Sequence, residues 1–245
     1  MKFIKRIVCN PYVFVFLLFV AVFEGVLLFR HGFFKNTLIE RGFITQKIEE
    51  RSDYHCLLAW ENTLKKMNYK ADICFIGNSL TYNADFQKDF PDKKVINLGY
   101  SGDRVEGLIA RHRQIASVNP DKIFIMIGIN DLSYNYMTAK KFSELYAKLL
   151  DNIQNTNPES QIYLQNILPI NHDIKKGLTT PQKIVDANLA IKSIAIERGV
   201  TYIDLYSLYV DKEGNLKDNL TTDGIHLNKN GYSIWSNTIK KYIYE

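Results

Sequence analysis

From about residue 70 onward the chain alternates short, almost wholly apolar runs with longer amphipathic ones, and this alternation narrows the possible folds more than any other feature. Residues 73–76, 95–98, 123–127, 162–164 and 202–205 are mostly aliphatic and aromatic, with Asn97 and Asp204 as polar exceptions, and some are flanked by Asp, Gly or Asn, as strands are. Between them, residues 105–117, 140–154 and 183–198 repeat at helical spacing, most cleanly in the stripe Phe142, Leu145, Tyr146, Leu149, Leu150 and Ile153. A final helix is predicted over 229–242, with Tyr232, Trp235, Ile239 and Tyr242 on one face. Strands that are apolar along their whole length must be covered on both faces, so the pattern predicts an α/β fold with a parallel sheet of five strands between helical layers.

A chain of 245 residues has room for one such domain and an appendage. The appendage is the N-terminus. From Tyr12 to Phe29 the sequence is apolar apart from Glu24 and Gly25, and it comes after the basic Lys2, Lys5 and Arg6. That length just reaches the bilayer-spanning range. An uncleaved signal anchor is the favoured reading, with the attached domain outside the cytoplasm; a cleaved signal peptide needs small residues three and one before the cut, and the candidate sites after Ala21 or Gly25 put Phe19 or Phe23 at the earlier position. A buried helix is the third reading. Residues 1–35 are thus expected to be the anchor, 36–69 a helical stalk and 70–245 the domain. The formal charge is +5, of which residues 1–30 hold +3, so the remainder gives no electrostatic case for a nucleic-acid partner. Cys9, Cys56 and Cys74 show neither metal-ligand spacing nor a disulfide framework, and Cys74, inside an apolar run, reads as a core residue.

Ligands of open parallel sheets bind beyond the carboxyl ends of the strands, which directs attention to the segment after each apolar run. Gly77-Asn78-Ser79-Leu80-Thr81 comes after the first, Gly99-Tyr100-Ser101-Gly102-Asp103 after the second, and Gly128-Ile129-Asn130-Asp131 after the third. Ser79 is either a nucleophile presented on a tight turn or a helix N-cap, and Thr81 stands where a GxSxG elbow has its second glycine. Its base is sought in Asp223-Gly224-Ile225-His226, where a carboxylate three residues before a histidine can hold one ring nitrogen while the other meets a hydroxyl. The same pair fits a plain turn or half of a metal site, although no other ligands appear at recognisable spacing. Gly102 can offer an unobstructed backbone N–H and Asn130 a side-chain amide to a developing oxyanion; their plainer readings are a positive-φ turn glycine and a loop residue bonded to its own backbone.

These four blocks, in this order, resemble the SGNH (GDSL) hydrolases, over about Asp72 to the C-terminus. The resemblance implies a flavodoxin-like three-layer fold. It also implies Ser79 as nucleophile, Asp223 and His226 as its orienting acid and base, and an oxyanion hole made by Ser79, Gly102 and Asn130, with no metal or organic cofactor. Asn78 stands where many members have Asp, so any role of that carboxylate is in doubt. The expected activity is hydrolysis of short acyl esters, acetyl above all, of a carbohydrate or small molecule. The alternatives are a membrane-tethered polysaccharide O-acetyltransferase and a catalytically silent carbohydrate-binding domain. By position alone, Tyr100, Arg104, Tyr134 and His172 are candidate substrate contacts.

Overall fold

The apolar runs form five parallel strands, buried along most of their length: β1 Ile73–Gly77, β2 Val95–Gly99, β3 Lys122–Met126, β4 Gln161–Gln165 and β5 Thr201–Ile203. The structure, a computed structural model, describes residues 64–66 and 68–245, all within the compact unit Lys47–Glu245. The expected anchor and nearly all of the expected stalk lie outside the described residues; among those described, no helix is long and apolar enough to cross a membrane.

The helices are α1 Ser79–Tyr82, α2 Phe86–Asp89, α3 Val105–Arg111, α4 Arg113–Ala116, α5 Ile129–Leu132, α6 Ala139–Thr156, α7 Pro181–Glu197, α8 Tyr206–Tyr209 and α9 Lys229–Tyr244, with a 3₁₀ turn at Asp218–Leu220. The long ones begin where side chains can satisfy their first N–H groups. Thr138 accepts from Lys141, Thr180 from Lys183 with Pro181 in the first turn, and Asn228 from Gly231. The expected helix over 105–117 is broken at His112. There the imidazole Nδ1–H donates to the Ile109 carbonyl at 2.7 Å, an acceptor that a continuous helix would give to the N–H four residues on. β5 ends sooner than the apolar run because the Asn166 carboxamide oxygen takes the N–H groups of Leu205 and Tyr206, at 2.9 and 2.8 Å.

Period-two alternation sorts the sheet's side chains onto two cores. Cys74, Ile76, Ile123, Ile125, Ile162 and Leu164 face residues of α3, α4, α6 and α7, among them Leu108, Ile115, Phe142, Leu149, Ile184 and Ile191. Cys74 is fully buried, which pushes its thiol pKa up and leaves it a core residue. Ile73, Phe75, Phe124, Met126 and Tyr163 face α2, α8 and α9. Phe75, Phe124 and Tyr163 are register partners, so their rings stack across three strands at 5.0 and 4.5 Å, and Phe86 extends the row at 3.7 Å. Trp235 of α9 meets Phe86 edge-on at 5.3 Å and donates its indole N–H to Gln165. Each such side chain contributes about 1.5–3 kcal/mol by leaving water, which fastens α9 to the sheet.

Strand order is β2-β1-β3-β4-β5. The chain steps from β1 to one side and then returns to the other, so the switch point lies between β1 and β3. The loops after β1, β2 and β3 therefore open onto one crevice.

Candidate active site

The turn after β1 sits unusually close to the sheet. A Cβ at Gly77 would lie 2.2 Å from the Met126 carbonyl and 2.3 Å from Thr81 Oγ1, and one at Gly99 would lie 2.4 Å from the Tyr82 nitrogen. Gly77 and Gly99 are register partners, so two bare positions side by side admit the backbone of α1. Asn78, 1% exposed, caps that helix by accepting the Leu80 N–H at 3.0 Å, a bond its amide oxygen supplies without a charge. The Asn97 carboxamide donates to the Thr81 and Ala84 carbonyls at 2.6 and 3.0 Å, and the Tyr232 hydroxyl to the Leu80 carbonyl at 2.9 Å. Ser79 is thereby held from the sheet below and from α9 beside it.

The loop before α9 completes a hydrogen-bonded row. His226 Nε2 lies 2.9 Å from Ser79 Oγ, and His226 Nδ1 lies 2.7 Å from Asp223 Oδ2. The other Asp223 oxygen accepts the N–H groups of Ile225 and His226 at 3.0 and 2.8 Å, which folds the carboxylate back onto its own loop. Burial raises the Asp223 pKa, but the bonds from the His226 ring and from these two N–H groups outweigh it and hold the carboxyl at about 2. The acceptor is ionised at any working pH, which places the Nδ1 proton between the two groups and leaves Nε2 free to receive one.

The loop is itself braced. Thr221 Oγ1 donates to the His226 carbonyl at 2.8 Å and accepts from Gly224 at 2.9 Å. Asn171 does more: its N–H donates to the Gly224 carbonyl at 2.7 Å, its amide donates to the Leu216 carbonyl and to Asp218, and its Oδ1 accepts from Asp173 and Ile174. Gly224, at φ +87°, would press a Cβ to 3.1 Å from the Asn171 carbonyl. Sequence reading picked His172 from this segment and passed over Asn171. The usable sign was Asn-x-Asp in a loop, a pattern in which an Asx side chain organises the next turn.

On the other flank, Gly102 is exposed, has φ +75° and nothing within 4 Å of where a Cβ would stand, so the turn is open on that side. The Asn130 amide donates to the Asp103 carbonyl at 2.8 Å, tying the β2 and β3 loops together and leaving its second N–H for another acceptor. Beneath them Arg111 and Asp103 form a buried ion pair at 2.8 Å, and Arg111 also reaches the Gly77 carbonyl at 3.4 Å, which braces this loop against β1. Asp131 accepts the Val105 N–H with both oxygens at 3.2 Å; burial pushes its pKa up to about 8, against the opposing pull of that bond and of Arg104. Arg104 lies under Tyr134 and bonds Tyr136. Tyr100 is half-buried and its N–H closes on the Gly77 carbonyl at 3.0 Å. His172 is tied through its backbone to Asn215, and burial lowers the pKa of its ring. No group of three or more His, Cys, Asp or Glu suited to a metal ion occurs among the described residues.

A hydroxyl bonded to an imidazole that is bonded in turn to a carboxylate can attack a carbonyl while shedding its proton, and N–H groups near the hydroxyl can receive the oxyanion. Comparison with known proteins gives this arrangement a context. The model of the GDSL-like lipase/acylhydrolase family matches residues 75–234. The N-acylneuraminate cytidylyltransferase of Escherichia coli O18:K1:H7 (strain RS218 / NMEC) is 26% identical over 207 residues; the match covers 80% of this chain but 48% of that protein, so the chain spans about half of its length. Among solved structures, a candidate acylhydrolase from Bacteroides fragilis NCTC 9343 has a TM-score of 0.69 at 21% identity, covering 79% of this chain and 98% of its own. The acetyl xylan esterase AlAXEase has a TM-score of 0.59 at 22% identity, covering 69% and 98%. At these identities the structural likeness is one of fold.

Proposed function

The chain belongs to the GDSL-like lipase/acylhydrolase family, a family of ester hydrolases, and on that premise we propose that it is a serine esterase working through an acyl-enzyme on Ser79. The observation that carries the reading is the unbroken row Asp223–His226–Ser79, at 2.7 and 2.9 Å. His226 takes the Ser79 proton through Nε2 as Oγ adds to the ester carbonyl, and Asp223 holds the ring in the required tautomer. The oxyanion is received by the N–H groups of Ser79 and Gly102 and by the Asn130 amide. As the tetrahedral species collapses, His226 returns the proton to the departing alcohol, and water attacks the acyl-enzyme by the same route in reverse.

The proposed substrate is a short acyl ester, acetyl above all, on a carbohydrate. Three points support it. His226 and Asp223 keep 36% and 52% of their side-chain surface exposed, so the row is open to a bulky alcohol. The fold is shared with an acetyl xylan esterase, and the Escherichia coli relative is named for N-acylneuraminate, an acylated sugar. The same openness admits a sugar hydroxyl in place of water, which makes polysaccharide O-acetyl transfer the second reading. In either case we place the domain outside the cytoplasm, tethered through residues from Tyr12 to Phe29, on the charge-then-apolar order of that segment. Protease protection on sealed vesicles tests the placement: digestion of the domain only from the cytoplasmic side overturns it.

The test of the activity is hydrolysis of chromogenic acetate, butyrate and octanoate esters by the full chain in detergent, beside Ser79→Ala and His226→Ala. Turnover of acetate that falls by about 10³-fold or more in both variants is expected. Parent-like turnover in either variant removes that residue from the mechanism. Release of no free acid, together with a new ester on an added glycan, selects transfer over hydrolysis.

A further inference from the structure

Arg104 carries a guanidinium into the protein, and among the described residues no carboxylate lies within ion-pair distance of it, although its charge is felt by the Asp131 carboxyl. The residue is 7% exposed. Its side-chain partners among the described residues are the Tyr136 hydroxyl, 3.3 Å from Nη1, and the Tyr134 ring, whose centre lies 5.1 Å from the guanidinium carbon. The neighbouring acids are engaged elsewhere. Asp103 pairs with Arg111, and Asp131 spends both oxygens on the Val105 N–H while burial keeps it largely protonated near neutral pH. Glu106 acts on the Tyr136 phenol but forms no ion pair with Arg104.

Two more cations gather at the same turn. Lys141 lies 4.6 Å over the Tyr136 ring, and Lys183 donates to the Tyr134 carbonyl at 3.4 Å. Neither joins a salt bridge among the described residues, and Asp186, one helical turn beyond Lys183, accepts from Gln182. Ring faces and phenols orient a cation but do not neutralise it, and a buried cation without a counter-ion is costly. This corner adjoins the oxyanion flank. Arg104 directly succeeds Asp103, whose carbonyl holds the Asn130 amide, and Tyr134 and Tyr136 come shortly after Asn130 in the chain.

We propose that the Arg104–Tyr134–Tyr136 corner binds an anionic group, carboxylate or phosphate, carried by the sugar part of the ester substrate, with Arg104 as the specificity-determining residue. The proposal rests on the esterase reading. The planar fork of an arginine matches the paired oxygens of either anion, and the tyrosines that flank it hold that fork in place. The surplus positive charge of the corner is then balanced when substrate is bound.

Three acetates test it with the full chain: a mono-O-acetylated methyl glucoside, the matching glucuronoside and the matching 6-phosphate. One or both anionic esters should exceed the neutral one by about 10–100-fold in kcat/KM, the size expected of a charged hydrogen-bonded pair. Which one does so identifies the anion. In Arg104→Gln that ratio should collapse to within about twofold, and Arg104→Lys, which keeps the charge without the fork, should fall between. A parent without preference, or a preference that survives in Arg104→Gln, overturns the proposal while leaving the esterase reading intact. If Arg104→Gln melts well below the parent, Arg104→Lys decides, since a preference reduced below the parent's supports the corner and full preference refutes it. If the parent cleaves none of the three, the esterase reading on sugars fails separately. Calorimetry with glucuronate and glucose 6-phosphate on Ser79→Ala then decides: binding that Arg104→Gln removes supports the corner, and no binding refutes it.

Discussion

Replacing Asp131 with Asn should flatten part of the protein's pH–stability curve. Asp131 is 1% exposed, its carboxyl accepts the Val105 N–H with both oxygens, and burial raises its pKa from 3.8 to about 8. Between those two values the folded protein keeps a proton that the unfolded chain has released, so the folded state binds more protons and stability falls as pH rises. The slope is about 1.4 kcal/mol per pH unit, from near pH 4 until it levels off near pH 8. Asn has the same shape, still offers an oxygen to Val105 and cannot ionise. From pH 5 to pH 8 the parent should therefore lose about 4 kcal/mol relative to Asp131→Asn. The assay is urea denaturation of both proteins at pH 5, 6, 7 and 8. Carboxylates remote from it titrate alike in the two, so the difference between the curves reports Asp131 together with its coupling to Asp103 and Glu106. A gap that changes by less than about 1 kcal/mol over that range would show that Asp131 ionises normally in the folded protein and would refute the reasoning.

Removing the side-chain donor with Asn130→Ala should lower kcat on a chromogenic acetate by about 10²–10³-fold with little change in KM, read from steady-state kinetics; an equal rise in KM would instead assign Asn130 to substrate binding. Gly77→Ala drives a methyl group to 2.2 Å from the Met126 carbonyl, so a loss of more than about 3 kcal/mol, or no soluble protein, is expected in urea titration; a near-neutral change would mean that α1 can lift off the sheet. Asn171→Ala removes four side-chain hydrogen bonds and leaves the two made by its backbone, to Gly224 and from Lys175, and kcat should drop by about tenfold or more while the acetate KM stays within twofold. Unaltered kcat would show that the 221–228 loop stands without it.

The parallel sheet and the long helices were legible because burial repeats along them. α6 shows this best, with Phe142, Tyr146, Leu149, Leu150 and Ile153 all buried. α1, α2, α5 and α8 span one turn each, too short for a period to register. The break at His112 was hidden for a different reason: it is caused by one side chain turning back on a carbonyl in its own helix, which no spacing announces. At the site, Ser79, Gly102 and Asn130 stand out because polar residues and glycines come directly after apolar strands, and Asp223 and His226 because of their three-residue spacing before the last helix. The residues that brace them do not. Asn97, Asn171 and Tyr232 act through carbonyls at the end of another element, and a carbonyl is the same in every residue. Arg104 was noticed for its position, but its setting between two tyrosines, with no ion pair among the described residues, is a property of the packed corner.

Ser79 and His226 are joined across 147 positions of chain, and the loop that brings His226 leads directly into α9, whose Trp235 docks against the aromatic row of the sheet. A growing chain halted before α9, or one clipped there, lacks both the Tyr232 bond to the serine turn and the helix that anchors the loop of its base. Ester cleavage is therefore an assay of assembly: the first turnover marks the moment at which the two ends of the domain have met, and a molecule that has not finished folding cannot cut.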